Sequence, residues 1–445
     1  MRSRLALQEK EIAQLKSKVE QLMRLLEQSS IKKDSHNSHN PPSQDKGKPK
    51  RNQSRRKKSG KNSGGQLGHK GTTLKMRETP DKIVVLEQSN YCSICGETLI
   101  GLDQKVISKR QVLELPPMDL ECIEYQQVAC DCPGCHHLQK ADYPKNITAP
   151  IQYGSSVIGL ISYMSVFQFI PYRRMKNLFA DLFNQTISEG TINNLLVKAG
   201  RKAEFVYDQI LEEIKNSFYV GADETGIKVN GTKWWIWVWQ NVQNTYLAAS
   251  DNRGFRTIET LLSEGLPHAI IGSDRWAAQL KTQTKGKQLC IAHLLRDLVY
   301  LIELEKTHWA QQFKTMLLQA LKIREDCVEK KMPLQASSQQ AKDLEKKMDD
   351  LLLEYIDKQK YAKSHSFQKS MLKHRPYLFT FLYYLEVPPD NNGSERAIRM
   401  AKIKLKISGM FKSGQHTFCI LRSVCDTLRK RNLNMHFYMM KILQT

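Results

Sequence analysis

From Asn216 onward the hydrophobic period of this chain changes from helical to extended, and two of the apolar runs that follow end on an aspartate. Phe218-Tyr219-Val220-Gly221-Ala222 leads to Asp223, and Ala269-Ile270-Ile271-Gly272 leads to Asp274. Between them Trp234 to Trp239 and Thr245 to Ala249 read as two more strands. A third carboxylate comes much later. Val387-Pro388-Pro389-Asp390-Asn391-Asn392 stops one segment and caps a helix that carries Glu395. Glu395, Arg399, Lys402 and Lys406, spaced 4, 3 and 4 residues apart, share one face of that helix, while Ile398, Ala401 and Leu405 share another. Acidic residues often end strands simply to be solvated, and a Glu among cations can be a plain i,i+4 salt bridge worth a few tenths of a kcal/mol. The same pattern is what a metal ligand beside a phosphate-binding surface requires. Lys402 to Ile407 also alternates, which would end the helix near Lys402.

Three meandering strands, a connection containing a helix, and a fourth strand is the order that opens a ribonuclease H-like sheet. In that fold the first strand lies centrally, so carboxylates on strands one and four approach each other. The 120 residues between Asp274 and Glu395 exceed what such a core needs. Tyr300 to Tyr384 reads as mainly helical, so a helical insertion is expected there. Cys290 and His293, spaced like half a metal site with no second half nearby, open it as a structural element or a DNA contact.

The segments before the sheet are of another kind. Leu5, Ile12, Val19 and Leu26 fall seven apart with Leu15 and Leu22 between them, a heptad pattern that predicts a parallel two-stranded coiled coil. Packing of the same stripe on its own protein is the plainer alternative. Ile31 to Met76 carries 13 Lys and Arg against two Asp, almost half of the chain's net charge of +23, and is nearly devoid of apolar residues up to Thr73. It should be disordered when free, and its densest run contains Arg55, Arg56, Lys57 and Lys58. Charge of this density makes nucleic acid the expected partner, ahead of an acidic membrane surface or protein.

Cys92-Ser93-Ile94-Cys95 and Cys132-Pro133-Gly134-Cys135 follow, separated by 36 residues, and six of the ten cysteines lie from Cys92 to Cys135. Two such knuckles bring four thiolates to one tetrahedral ion, so Cys92, Cys95, Cys132 and Cys135 are expected to hold a structural Zn²⁺. Cys130 could replace Cys132; Cys122 and His136 are more distant substitutes. From Tyr153 the pattern is helical, with helices over Ser155 to Phe167, from Pro171, and over Ser188 to Ala199. Thr191, Asn193 and Asn194 stand where a helix-turn-helix presents base-reading side chains, and an ordinary helical hairpin fits equally well. The longest apolar stretch, Val157 to Ile170, is interrupted by polar residues and too short to span a membrane, and no signal peptide opens the chain. A cytoplasmic protein is expected.

Together these residues resemble the insertion sequence 66 family of bacterial Asp-Asp-Glu transposases. The likeness runs nearly end to end and rests on the leader heptads, Gly64-Gly65-Gln66-Leu67-Gly68-His69-Lys70-Gly71, the Cys knuckles, Ala222-Asp223-Glu224-Thr225, Gln288-Leu289-Cys290-Ile291-Ala292-His293 and, most specifically, Asp390-Asn391-Asn392-Gly393-Ser394-Glu395-Arg396-Ala397-Ile398-Arg399. The family usually has Pro where Leu67 stands, and an apolar-Asp-Gly-Tyr motif at Ser273-Asp274-Arg275-Trp276. The second departure makes Asp251 the one rival to Asp274. The leader is also short for the family, which implies a few missing N-terminal residues.

The resemblance implies an α+β multidomain chain: coiled-coil leader (1–28), basic arm (29–76), zinc-binding domain (77–150), helical domain (151–215), ribonuclease H-like core in two parts (216–299 and 387–445) and a helical insertion (300–386). It implies a nucleoid-associated enzyme that binds the terminal inverted repeats of a mobile element and target DNA. Asp223, Asp274 and Glu395 would hold two Mg²⁺ ions, with Mn²⁺ as a substitute, for strand cleavage and strand transfer. Arg399, Lys402 and Lys406 would neutralise phosphate near the scissile bond. A homodimer or higher oligomer through the leader, and accessory proteins encoded by the same element, are the implied protein partners. Two other functions use the same residues: a non-catalytic DNA-binding protein derived from a transposase, and a structure-specific nuclease.

Overall fold

The computed structural model describes residues 11, 12, 14–16, 18, 19, 23, 33, 34, 37, 38, 68 and 74–444. Most of the leader and of the basic arm, including Leu5, Leu22, Leu26, Arg55, Arg56, Lys57 and Lys58, lies outside the described residues. Ile12, Leu15 and Val19 are helical, and each is at least half exposed.

The body is built on a five-stranded mixed sheet. Its strands are β3 (Tyr219–Val229), β4 (Thr232–Gln240), β5 (Thr245–Ser250), β6 (Leu266–Ser273) and β7 (Thr284–Leu289), in the order β5-β4-β3-β6-β7. The shorter β1 (Ala129–Asp131) and β2 (Leu138–Lys140) form a separate hairpin in the cysteine-rich segment. β3 pairs antiparallel with β4 and parallel with β6, so the first strand of the sheet is its centre. This arrangement is consistent with a ribonuclease H-like core. β3 runs six residues beyond Asp223, so the carboxylate stands within the strand and not at its end. The cause is β4, whose pairing continues from Gly221↔Gln240 to Val229↔Thr232.

Alternation of side chains along the strands divides the apolar residues between two cores. Val220, Ala222, Ala269 and Ile271 face a core shared with Trp237 and Trp239. That core also takes in the helices α1 (Ser155–Ser162), α2 (Tyr172–Phe183) and α3 (Glu189–Lys215) and the C-terminal helices α12 (Gln415–Lys430) and α13 (Met435–Gln444). The expected helices of residues 151–215 are therefore present, but they share the sheet's core. α3 follows a left-handed turn at Asn184, is capped by the Ser188 hydroxyl, and runs 27 residues. Its buried Gly200 packs against Thr417 of α12, which fixes the middle of α3 against the C-terminal helices.

On the opposite face Tyr219, Ile270 and Leu289 join a second core. It is made by α6 (Ile291–Glu305), α7 (His308–Glu329), α8 (Gln339–Leu353), α9 (Ala362–Lys373) and α10 (Thr380–Tyr383). Helices thus fill the stretch where an insertion is expected, and they begin nine residues earlier than Tyr300. Two short helices, α4 (Phe255–Leu261) and α5 (Ala277–Lys281), connect strands, and α11 (Asn392–Ser408) returns the chain to the sheet. α11 does not stop near Lys402: it continues to Ser408 and ends at Gly409, whose φ is +74°.

Candidate active site

Asp223 is placed by strand parity and register. Residues 219, 221 and 223 of β3 point to the same face, and so do 270, 272 and 274 beyond β6. The parallel register Tyr219↔Ile270, Val220↔Ile271 and Gly221↔Gly272, carried two residues on, sets Asp223 level with Asp274. Asp251, by contrast, is exposed beyond β5, two strands away from β3. Asp274, and not its rival, is therefore the neighbour of Asp223.

Glu395 arrives from α11, and three contacts bring it in. The Asn391 side chain donates to the Ala222 carbonyl at 2.7 Å, beside Asp223 on the central strand. The Asn391 backbone N–H donates to Cys290 Sγ at 3.3 Å, and Ile291 N–H donates to the Pro389 carbonyl at 2.8 Å. Close approach is possible because residue 221 has no side chain. A Cβ there would lie 2.6 Å from Gln240 Nε2, 2.7 Å from Ser394 Oγ and 2.9 Å from Asn391 Oδ1. The buried thiol of Cys290 thus pins the loop before α11, which is the structural role open to it from the sequence. His293, one turn into α6, has Nε2 3.5 Å from Glu395 Oε1. The sequence singled His293 out without tying it to Glu395; only the fold joins positions 102 residues apart.

Electrostatics set this cluster apart from solvated strand ends. Burial first, then the charges of Asp274 and Glu224, push the Asp223 carboxyl well above its usual range, against one backbone N–H from Glu224 that favours the anion. Glu395 adds to the repulsion. Glu224 is itself raised, by burial and then by Asp274, although Arg253 grips its Oε1 with Nε at 3.1 Å and Nη2 at 3.0 Å. Asp274 accepts from the backbone N–H of Trp276 at 2.8 Å. Glu395 Oε1 is buried without a hydrogen bond. Hard carboxylate oxygens that repel one another, one of them without a hydrogen bond, suit a divalent cation such as Mg²⁺.

The cationic residues lie where the helix period puts them. Arg399, Lys402 and Lys406 are exposed along the same line of α11 as Glu395.

The cysteines form two local knuckles of one design. Gly96 N–H donates to the Cys92 carbonyl and Cys92 N–H to Glu97; His136 N–H donates to the Cys132 carbonyl and Cys132 N–H to His137. In each, backbone N–H groups led by that of Cys95 or Cys135 lower the first thiol's pKa, which favours the thiolate that zinc takes. Cys122 and Cys130 stand exposed in the same segment. Among the described residues, however, no group of three or more His, Cys, Asp or Glu side chains converges enough to hold an ion as it stands, and this holds for carboxylates and cysteines alike. Nor, among them, is any helix long and apolar enough to cross a membrane.

Comparison with known proteins supplies the frame for this geometry. The family model described as "Transposase IS66 family" matches residues 150–417, which contain the whole sheet, the insertion and all three carboxylates. A second model, described as a family of unknown function (DUF6444), matches residues 3–75, the leader and arm. No curated protein matches the chain.

Proposed function

The chain belongs to the transposase IS66 family, and on that premise we propose that Asp223, Asp274 and Glu395 are its catalytic carboxylates, acting on DNA at the ends of a mobile element. The observation that carries this is the register that levels Asp223 with Asp274 while Asn391 ties the start of α11 to Ala222. Asp223 lies on the central strand level with Asp274, the start of the helix that carries Glu395 is tied to the same strand, and burial together with the charges of Asp274 and Glu395 pushes the Asp223 carboxyl up.

Bound there, Mg²⁺ would supply activation of an attacking hydroxyl and stabilisation of the leaving oxygen. The chain's own part is positioning. Asp223 and Asp274 offer oxygens from a rigid sheet, Glu395 closes the set from α11, and His293 fixes the side of Glu395 that faces the insertion. Arg399, Lys402 and Lys406 extend from the site as a line of phosphate contacts.

The remaining segments serve DNA engagement and assembly. Residues 77–150 bury no apolar side chain, so a segment of this kind needs another source of folding free energy. Zn²⁺ on Cys92, Cys95, Cys132 and Cys135 would provide it. The exposed stripe of Ile12, Leu15 and Val19 suits a second copy of the leader, and the basic arm suits phosphate of any sequence.

Mn²⁺ binding to the full chain, followed by electron paramagnetic resonance, tests the reading before any DNA is added. The parent should bind the ion, and Asp223→Asn and Glu395→Gln should each weaken binding at least tenfold. Binding of equal strength in all three proteins would remove the carboxylates from the metal site.

A further inference from the structure

The amide of Gln240 lies between the central strand and the start of α11, and the proposed chemistry gives it no part. Gln240, the last residue of β4, pairs with Gly221 of β3, so its side chain stands on the same sheet face as Asp223. Two glycines leave room for it. A Cβ on Gly221 would lie 2.6 Å from Gln240 Nε2, and a Cβ on Gly393 would lie 2.4 Å from the same nitrogen. A side chain at either position would push the amide, the strand or the helix aside. Gln240 itself is buried, so its amide has little solvent to retreat into.

The orientation of the amide is fixed from behind. Lys430, which ends α12, donates from Nζ to Gln240 Oε1 at 2.8 Å, to the Asn241 carbonyl at 2.6 Å and to the Asn244 carbonyl at 2.8 Å. An ammonium only donates, so the amide atom facing it is the oxygen, and the NH2 points away toward the two glycines. Ser394 Oγ and Asn391 Oδ1 crowd the same space, 2.7 Å and 2.9 Å from the place of a Gly221 Cβ. Both oxygens are buried, and neither has a hydrogen-bond partner among the described residues. Of these three groups the Gln240 NH2 is the one that only donates. Residues 391, 393 and 394 thus gather around one amide, and the next residue is Glu395.

A contact needed only for folding would take a simpler form. Apolar side chains would join β4 to α11 with no buried polar atoms to satisfy, and Gly in a helix is disfavoured against Ala. The polar clamp instead fixes where α11 starts, and a site works only when its ligands are held to within about 0.5 Å. We infer that Gln240 is a positioning residue for Glu395: anchored by Lys430, it seats the first turn of α11 so that the Glu395 carboxylate reaches Asp223 and Asp274. The inference deepens the proposed function and rests on its reading that these carboxylates hold a divalent ion. Gln240 would touch neither ion nor DNA and would act through α11 alone. No local pattern marks it, because Gly221, Gly393 and Lys430 reach it from three other elements.

The test is a double-mutant cycle on the full chain, read by Mn²⁺ electron paramagnetic resonance together with thermal melting. Gln240→Met keeps the length of the side chain and removes the amide. It should melt cooperatively and weaken Mn²⁺ binding by about tenfold. In a Glu395→Gln background the same substitution should leave Mn²⁺ binding unchanged, since the carboxylate it positions is already gone. A residue that merely supports the fold would weaken both backgrounds alike. Gly393→Ala, which drives a Cβ into the amide from the helix side, should reproduce the pattern, and it decides the matter if Gln240→Met does not fold. Parental Mn²⁺ binding by the deciding variant, or equal weakening in both backgrounds, would overturn the inference. The two readings fail separately. Parental Mn²⁺ binding by Glu395→Gln would remove Glu395 from the metal site and this inference with it, whereas weakened binding by Glu395→Gln beside parental binding by Gln240→Met would remove the positioning role alone.

Discussion

Asp223 carries the sharpest conflict between folding and function. Its carboxyl is buried beside Asp274 and Glu224, with Glu395 also near, and its pKa is raised in consequence. A carboxyl raised in the folded state costs stability as pH climbs from the ordinary carboxylate range through its folded value, because the unfolded chain releases that proton first. Asp223→Asn removes the cost. In metal-free buffer near neutrality this variant should melt above the parent, by roughly 2–4 °C for each kcal/mol relieved, and the difference should shrink as pH falls toward 4. A variant melting at or below the parent at neutral pH would show that the site stores no such repulsion. The residues that a reader of the sequence could connect are those close along the chain, such as Glu395 with Arg399. Asn391 with Ala222, and His293 with Glu395, depend on elements far apart in sequence, so no local pattern reports them.

At the scale of elements, α11 combines two functions by its period alone. Its apolar line, Ala397, Ile398 and Ala401, is buried against the sheet, while Glu395, Arg399, Lys402 and Lys406 follow a second line outward. Arg399→Ala should therefore lower DNA affinity and cleavage together, and fold normally because Arg399 is exposed; calorimetry and a filter-binding assay would check both. An unchanged affinity would separate the helix from DNA. The sheet was legible where apolar runs are unbroken, as in β4 and β6. The continuation of β3 to Val229 was also written in the chain, in the buried alternation Thr225, Ile227 and Val229, but Asp223 and Glu224 interrupt the run and suggest an end. β7, Thr-Lys-Gly-Lys-Gln-Leu, has only one apolar residue because it is an edge strand, and no period could reveal it. The same difficulty explains why the three N-terminal helices looked like a separate domain: helical periodicity gives the buried face without naming what covers it.

Across the whole molecule, the sheet separates two cores, and the candidate site opens at the level where the insertion and α11 both reach β3. The insertion thus does more than lengthen the chain: α6 places His293 beside Glu395, and Cys290, just before α6, holds the loop that precedes α11. Assembly should depend on the leader. Replacing Ile12 and Val19 together by Asp places charge in the heptad seam and should reduce the sedimenting mass of the full chain; sedimentation equal to the parent's would assign the stripe to packing within one chain. Catalysis is tested most directly by strand cleavage on DNA that carries candidate terminal inverted repeats, with binding followed on the same samples. Asp223→Asn, Asp274→Asn and Glu395→Gln should each abolish cleavage, while DNA binding stays within a few-fold of the parent and Asp251→Asn cleaves normally. Cleavage at the parental rate by all three carboxylate variants, or loss of cleavage in Asp251→Asn with Asp274→Asn still active, would contradict the assignment.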